Sequence, residues 1–273
     1  MTTTDLLNLV SAGLRVYDLA RPYQAGMAQS PNHPPYRHAY TRRHGDAVRN
    51  DGGSAAADII VLGTHVGTHI DALGHVSHDG YVHGGTAVAD LLQNGLDLTH
   101  GVDTFASFVN RGVLLDVPAT LGVEACEPGY EITVDDLERT VERQGTSVGE
   151  GDVALIRSGW GRNFSDSSAF VGQASGVPGP SAAAASWLAE RRVVAAGADT
   201  IAFERLAPGA GHASLPAHRI LLVESGINII ETMVLDEIAR DEVHEFMLVL
   251  APLPLVGATG SPLRPLAIVG ASS

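Results

Sequence analysis

Apolar residues along the chain gather in short β-branched runs at 58–62, 113–117, 153–157, 193–196, 227–230, 246–250 and 267–269. Several are almost continuously apolar, the pattern of strands buried on both faces rather than of a half-exposed sheet. The segments between them carry helical start and stop signals. Thr133 is placed to cap a helix through Gln144, with Val134, Leu137 and Val141 on one face. Ser181 caps an Ala-rich helix containing Trp187 and Leu188, and Pro216 opens a third that runs through Ser225 and ends at Gly226. Residues 236–241 form a short fourth. The Gly/Pro/Ser-rich stretch 165–181 reads as a surface loop, long enough for a lid or an interface arm. Strands interleaved with helices predict an α/β or α+β class. The chain shows no internal repeat or long linker, so a single domain over residues 1–273 is expected.

Composition narrows the function. Hydrophobic residues make up 45% and charged residues 18%, a balance that closes a sizeable core. The 17 Lys+Arg against 31 Asp+Glu leave a net charge of −14. Nucleic acid and anionic membranes need a basic face, so neither is an expected partner. All 17 basic residues are arginine, which removes Schiff-base chemistry and the P-loop lysine. One cysteine, Cys126, excludes an intramolecular disulfide and a Cys-based zinc site. The N-terminus has no signal-peptide pattern. The longest apolar run, 246–256, is too short to span a bilayer and contains Pro252 and Pro254. A cytoplasmic protein acting on a small molecule is expected.

The 12 histidines are the outlier. The segment Gly63-Thr64-His65-Val66-Gly67-Thr68-His69-Ile70-Asp71-Ala72-Leu73-Gly74-His75 has the polar pattern H-x-x-x-H-x-D-x-x-x-H. Its glycines and β-branched residues argue against a helix and for an extended strand. On a strand, alternate residues share a face, so His65, Gly67, His69 and Asp71 point together, with Gly67 leaving a gap between the imidazoles. Two imidazoles and a carboxylate suit Zn²⁺, Mn²⁺ or Fe²⁺ with coordination positions left open. His75 follows a turn and is placed beside the ion as a general base. A run of merely exposed or hydrogen-bonded histidines is the bland alternative, and it accounts poorly for three ionisable groups on one face. His78 and His83, in a Gly-rich polar loop, are weaker candidates.

The string HVGTHIDALGH resembles the H-x-G-T-H-x-D-x-P-x-H signature of the metal-dependent cyclase-like hydrolases. That family contains bacterial kynurenine formamidase (arylformamidase), isatin hydrolase and relatives named as polyketide cyclases. The resemblance extends to Val16–Leu19 with Gly26-Met27, to 112–116 and 151–160, to Leu215–His218, to 226–231, and to Pro252–Pro254 with 257–265. It implies a compact α/β domain with a mixed, barrel-like sheet flanked by helices, of the swivelling β/β/α type, assembled as a homodimer or homotetramer. It also implies that His65, His69 and Asp71 bind one ion, Mn or Zn. Asp71 would bridge to a second ion, where there is one, with His218 and Glu231, and His75 would be the general acid/base. Three departures stand out. Leu73 replaces the signature proline, Val76 stands where formamidases carry phenylalanine, and the His218–Glu231 interval is one residue longer. His212 is a rival to His218. Asp199 and Glu204 are candidates for orienting ligand histidines.

The expected chemistry is hydrolysis of an amide, lactam or lactone bond by metal-activated water. Ring closure or dehydration at the same ion is the enzymatic alternative, and a metal-binding scaffold the non-enzymatic one. A serine hydrolase is disfavoured: His83-Gly84-Gly85 faintly resembles an oxyanion motif, but no G-x-S-x-G elbow occurs, and Ser158 sits in R-S-G-W.

Overall fold

In the computed structural model, which describes residues 3–93, 96–97 and 99–271, the apolar runs become the centre of one sheet. Its nine strands are ordered Leu14–Asp18, Leu266–Gly270, Glu245–Val249, Val109–Asp116, Val153–Arg157, Ala195–Ala198, Asn228–Glu231, His69–Asp71 and Gly260–Pro262. Val109–Asp116, Val153–Arg157, Ala195–Ala198 and Asn228–Glu231 run parallel, and the flanking strands pair antiparallel. The sheet is a mixed half-barrel with helices against it, a single compact α/β domain as expected.

The continuous apolar runs follow from burial on both faces. Val113, Leu115, Ala154, Ile156, Ala196 and Ile229 pack under the helices with Leu137, Trp187, Leu188 and Leu221. Their neighbours Leu114, Val153, Leu155, Ala195 and Ile230 face Tyr17, Leu19, Ile70, Phe246 and Ile238 on the other side. Fully burying each such Leu or Ile is worth about 1.5–3 kcal/mol.

The helical signals act as expected. Thr133 and Asp136 form a capping box on Val134–Gln144, and the Ser181 hydroxyl caps Ala182–Glu190. The helix opened by Pro216 differs from expectation. Only Pro216–His218 is α-helical, and Arg219–Ser225 is a π-helix ended by Gly226 at φ 69°. A π-turn takes up one residue more than an α-turn, and this wider turn lies between His218 and Glu231.

Two expectations are corrected. Residues 165–181 are not a free loop: Ser167–Val171 is a short helix and Gly179–Pro180 pairs with Glu131–Ile132, with Phe170 and Val177 fully buried. The run near residue 58 is not a core strand. Ala57–Val61 pairs with Arg37–Arg42 in a separate two-stranded ribbon, exposed on both faces, and Tyr40, Ile59, Ile60 and Val61 are each more than half exposed. Among the described residues no helix is long and apolar enough to cross a membrane.

Candidate metal centre

The expected single strand through the histidine motif forms only at its end, His69–Asp71, held between Asn228–Glu231 and Gly260–Pro262. Residues 63–68 turn instead, and contacts from distant segments hold the turn at Thr68. Tyr23 donates its hydroxyl to Thr68 O at 2.7 Å, and Thr68 Oγ1 donates to Thr232 O at 2.7 Å. Gly67 takes φ +67°, which breaks the strand alternation. His65 therefore reaches the site from a turn rather than from a shared strand face. Nor is Gly67 a gap for an ion, since a Cβ there would lie 2.9 Å from the Tyr23 ring and from Met27 Cε. The glycine is needed so that these side chains can close behind the motif.

The side chains nevertheless converge. The ligand atoms of His65, His69 and Asp71 lie within 4.8 Å of one another, as do those of Asp71, His218 and Glu231, so that Asp71 is common to both groups. All five residues are buried. His65 Nδ1 is 2.6 Å from Asp71 Oδ1, and its Nε2 is anchored on the Thr259 hydroxyl at 2.9 Å. Gly260 makes room for that ring, because a Cβ would stand 2.7 Å from His65 Cε1. His69 Nε2 lies 3.5 Å from both Asp71 Oδ1 and Glu231 Oε2. His218 Nε2 lies 3.2 Å from Glu231 Oε1 and 3.7 Å from Asp71 Oδ2.

The far side of each ring fixes its orientation. His69 Nδ1 donates to Gly67 O at 2.8 Å, and His218 Nδ1 donates to Glu204 at 2.8 Å. Glu204 also accepts the backbone N–H groups of Ala217 and His218, each at 2.9 Å. With Nδ1 committed as a donor, Nε2 of each ring faces the carboxylates, the arrangement of a metal-ligating histidine with a supporting acceptor.

These residues fit a divalent ion. Asp71 Oδ2 and Glu231 Oε1 are buried with no hydrogen-bond partner among the described residues. Buried anionic oxygens left that way are costly unless a cation meets them. A donor set of imidazole nitrogens and carboxylate oxygens suits a divalent transition metal. Burial opposes a charge on His218, but Glu204 and Glu231 outweigh it and push its pKa up to about 10. Burial likewise disfavours the Asp71 carboxylate, and the surrounding imidazoles overcome this and hold it well below the usual range.

His75 stacks on His65 with ring centroids 3.8 Å apart and lies 6.4 Å from His218. Burial pushes its pKa down to about 3 against the pull of Asp71, leaving a neutral ring. His218, not His212, joins the buried group; His212 lies on the preceding loop, half-buried, near enough to Glu231 and His218 to feel their charge. His78 is exposed, and His83 bonds Val223 O at 3.0 Å, supporting the π-helix. Asp199 binds Ser158 and Gly161 rather than a ligand histidine. His33, whose ring lies 5.1 Å from that of His65, and Thr259 also border the site, and neither stands near the motif in sequence, so spacing carries no signal for them.

The family described as "Putative cyclase" matches residues 17–205. The chain belongs to this cyclase family. An isatin hydrolase from Roseibium aggregatum is 27% identical over 224 residues, covering 81% of this chain and 77% of that protein. Among solved structures, a novel cyclase matches with TM-score 0.84 and 28% identity over 98% of this chain and 93% of its own. Isatin hydrolase A from Ralstonia solanacearum matches with TM-score 0.76 and 25% identity over 98% of each chain. The cyclase-family match holds the histidine motif and Glu204, and the structural matches extend over His218 and Glu231 as well.

Proposed function

We propose that this cyclase-family protein is a metal-dependent hydrolase that adds water across the C–N or C–O acyl bond of a small cyclic or aryl substrate. The observation that carries this reading is the pair of buried triads sharing Asp71, with His75, an imidazole outside both triads, stacked against them. Similarity to isatin hydrolases makes a lactam the first substrate to try. His65, His69 and Asp71 would hold one ion, and Asp71, His218 and Glu231 a second, with Mn²⁺ and Zn²⁺ the ions that suit these donors. A bound ion supplies Lewis acidity toward the acyl oxygen and acidifies nearby water from a pKa of ~15.7 toward about 7. His75, neutral and held by stacking on His65, takes the proton as the water oxygen bonds to the acyl carbon. It returns that proton to the leaving nitrogen or oxygen as the acyl bond breaks.

The test is to quantify Mn, Zn and Fe per chain and assay isatin, N-formylkynurenine, cyclic imides and lactones with each metal restored. His75→Ala should keep metal and fold and lose about 10²–10⁴ in turnover. His69→Ala should lose metal. A His75→Ala enzyme of undiminished activity, or a His69→Ala protein with full metal content, would overturn the assignment.

A homodimer or homotetramer is part of this proposal. An isolated two-stranded ribbon is marginal in water, and three adjacent β-branched residues, Ile59, Ile60 and Val61, are bare on this one. Another subunit covering the ribbon accounts for them, and a monomeric mass by light scattering would refute it.

A further inference from the structure

Residues 29–34 bring His33 beside the metal centre, and their backbone is tied at several points. His33 N–H donates to Ser30 O at 3.3 Å, Gln29 Nε2 donates to His33 O at 3.0 Å, and Gly63 N–H donates to Pro34 O at 3.1 Å. Pro34 and Pro35 restrict the backbone further. His33 and Pro34 lie tight against the start of the histidine motif. A Cβ on Gly63 would stand 3.1 Å from Pro34 Cδ and 3.3 Å from His33 Cβ. This packing fixes the His33 ring 5.1 Å from His65 and 6.4 Å from His75, centroid to centroid. The ring is half-buried, and among the described residues no group hydrogen-bonds its nitrogens. His65, His69 and His218 all have their outer nitrogens committed to a hydroxyl, a carbonyl or a carboxylate. His33 has its backbone tied down and its imidazole free, which is how a substrate-facing side chain is built.

We propose that His33 is a catalytic residue of this site, donating a ring N–H to the acyl oxygen of the substrate while His75 handles the proton of the water. The proposal rests on the hydrolase reading and adds to it the donor that the reaction lacks. As water adds to the acyl carbon, the C=O π electrons move onto oxygen, and that oxygen needs donors as well as an ion. The chain has no lysine to offer. No proton leaves His33 in this role; it holds a hydrogen bond that shortens as charge develops.

The experiment compares wild type with His33→Ala, His33→Asn and His33→Gln, the last two retaining an amide donor. Metal per chain is measured by atomic emission, kcat and KM on isatin or whichever lactam or lactone of the panel is turned over. Affinity for benzohydroxamate, an aryl metal chelator, is measured by calorimetry on the metal-loaded protein. The expected result is wild-type metal content in all three variants, with kcat/KM reduced on the order of 100-fold in His33→Ala. Benzohydroxamate affinity should fall roughly tenfold, the loss of one hydrogen bond, and at least one amide variant should recover part of both. Unchanged kcat/KM and hydroxamate affinity in His33→Ala would overturn the proposal. So would a parallel loss of metal, which would make His33 a ligand or a structural support. A wild-type enzyme inert on the whole panel would sink the hydrolase reading, and the hydroxamate arm would still decide whether His33 faces the bound molecule.

Discussion

Glu204→Gln isolates the most connected carboxylate behind the metal centre. Glu204 accepts three hydrogen bonds: Ala217 N on Oε2, and His218 N and Nδ1 on Oε1. An amide can keep only one of these oxygens. Retaining the one that serves His218 turns its NH₂ against the Ala217 N–H, so one backbone donor loses its partner at 0% exposure. A buried donor left unsatisfied costs about 1–3 kcal/mol. For a chain of this size that lowers the melting temperature by roughly 2–4 °C per kcal/mol. The effect on the ion is separate. His218 loses the anionic acceptor that orients its ring and raises the basicity of Nε2, and removing such a partner weakens metal affinity by about 10–100-fold. The assay is competition against a chromophoric chelator for Zn²⁺ and Mn²⁺, run beside thermal melts of the ion-free protein. Melting-temperature loss with wild-type ion affinity would show that Glu204 only caps the Pro216–Ser225 turn and would refute the orienting role.

Two further outcomes follow from the same geometry. Gly67→Ala places a Cβ at φ +67° and 2.9 Å from Tyr23 and Met27; it should destabilise by about 2–4 kcal/mol and reduce metal per chain, and wild-type melting and metal content would contradict this. Stripping the ion with EDTA should lower the melting temperature by about 5–10 °C if the ion stood near 100 times its Kd, and restoring Mn²⁺ or Zn²⁺ should return it, whereas an unchanged melt would argue that the buried carboxylates have another partner.

The core was legible because a strand buried on both faces has no room for polar residues. Val113–Leu115 and Val153–Ile156 are therefore apolar without interruption and easily seen. Caps were legible for a similar local reason: Thr133 and Ser181 each act on the turn that follows and Gly226 on the turn that precedes it. The motif's ligand types were visible, but its backbone was not, because tertiary contacts from Tyr23 and Thr232 decide the conformation of residues 63–68 and lie far away in sequence. The ribbon misled in the opposite direction. Ile59, Ile60 and Val61 have core composition and stand exposed in a single chain. His33 carries no periodic signal at all. It enters the site through the packing of Pro34 on Gly63, a contact that no spacing rule encodes.

Strain ties these parts together. Among the described residues only five non-glycine residues have positive φ, and two of them adjoin the site carboxylates: Phe203 at 53° precedes Glu204, and Thr232 at 58° follows Glu231. Each such residue costs about 1–3 kcal/mol and persists only where its surroundings over-determine it. Here they do. Thr232 N–H donates to Thr200 O at 2.9 Å and Thr232 O accepts from Thr68 Oγ1 at 2.7 Å, while Thr200 Oγ1 donates to Phe203 O at 3.1 Å. One chain of contacts thus runs from Thr68, inside the histidine motif, through Thr232 and Thr200 to Phe203. It braces the residues that adjoin Glu231 and Glu204 and ties them to Thr68, at the end of the turn that delivers His65. The carboxylates of the site are therefore braced through one set of backbone contacts, and Thr68→Val, which removes the hydroxyl that donates to Thr232 O, should lower metal per chain by atomic emission; wild-type metal content would refute the brace.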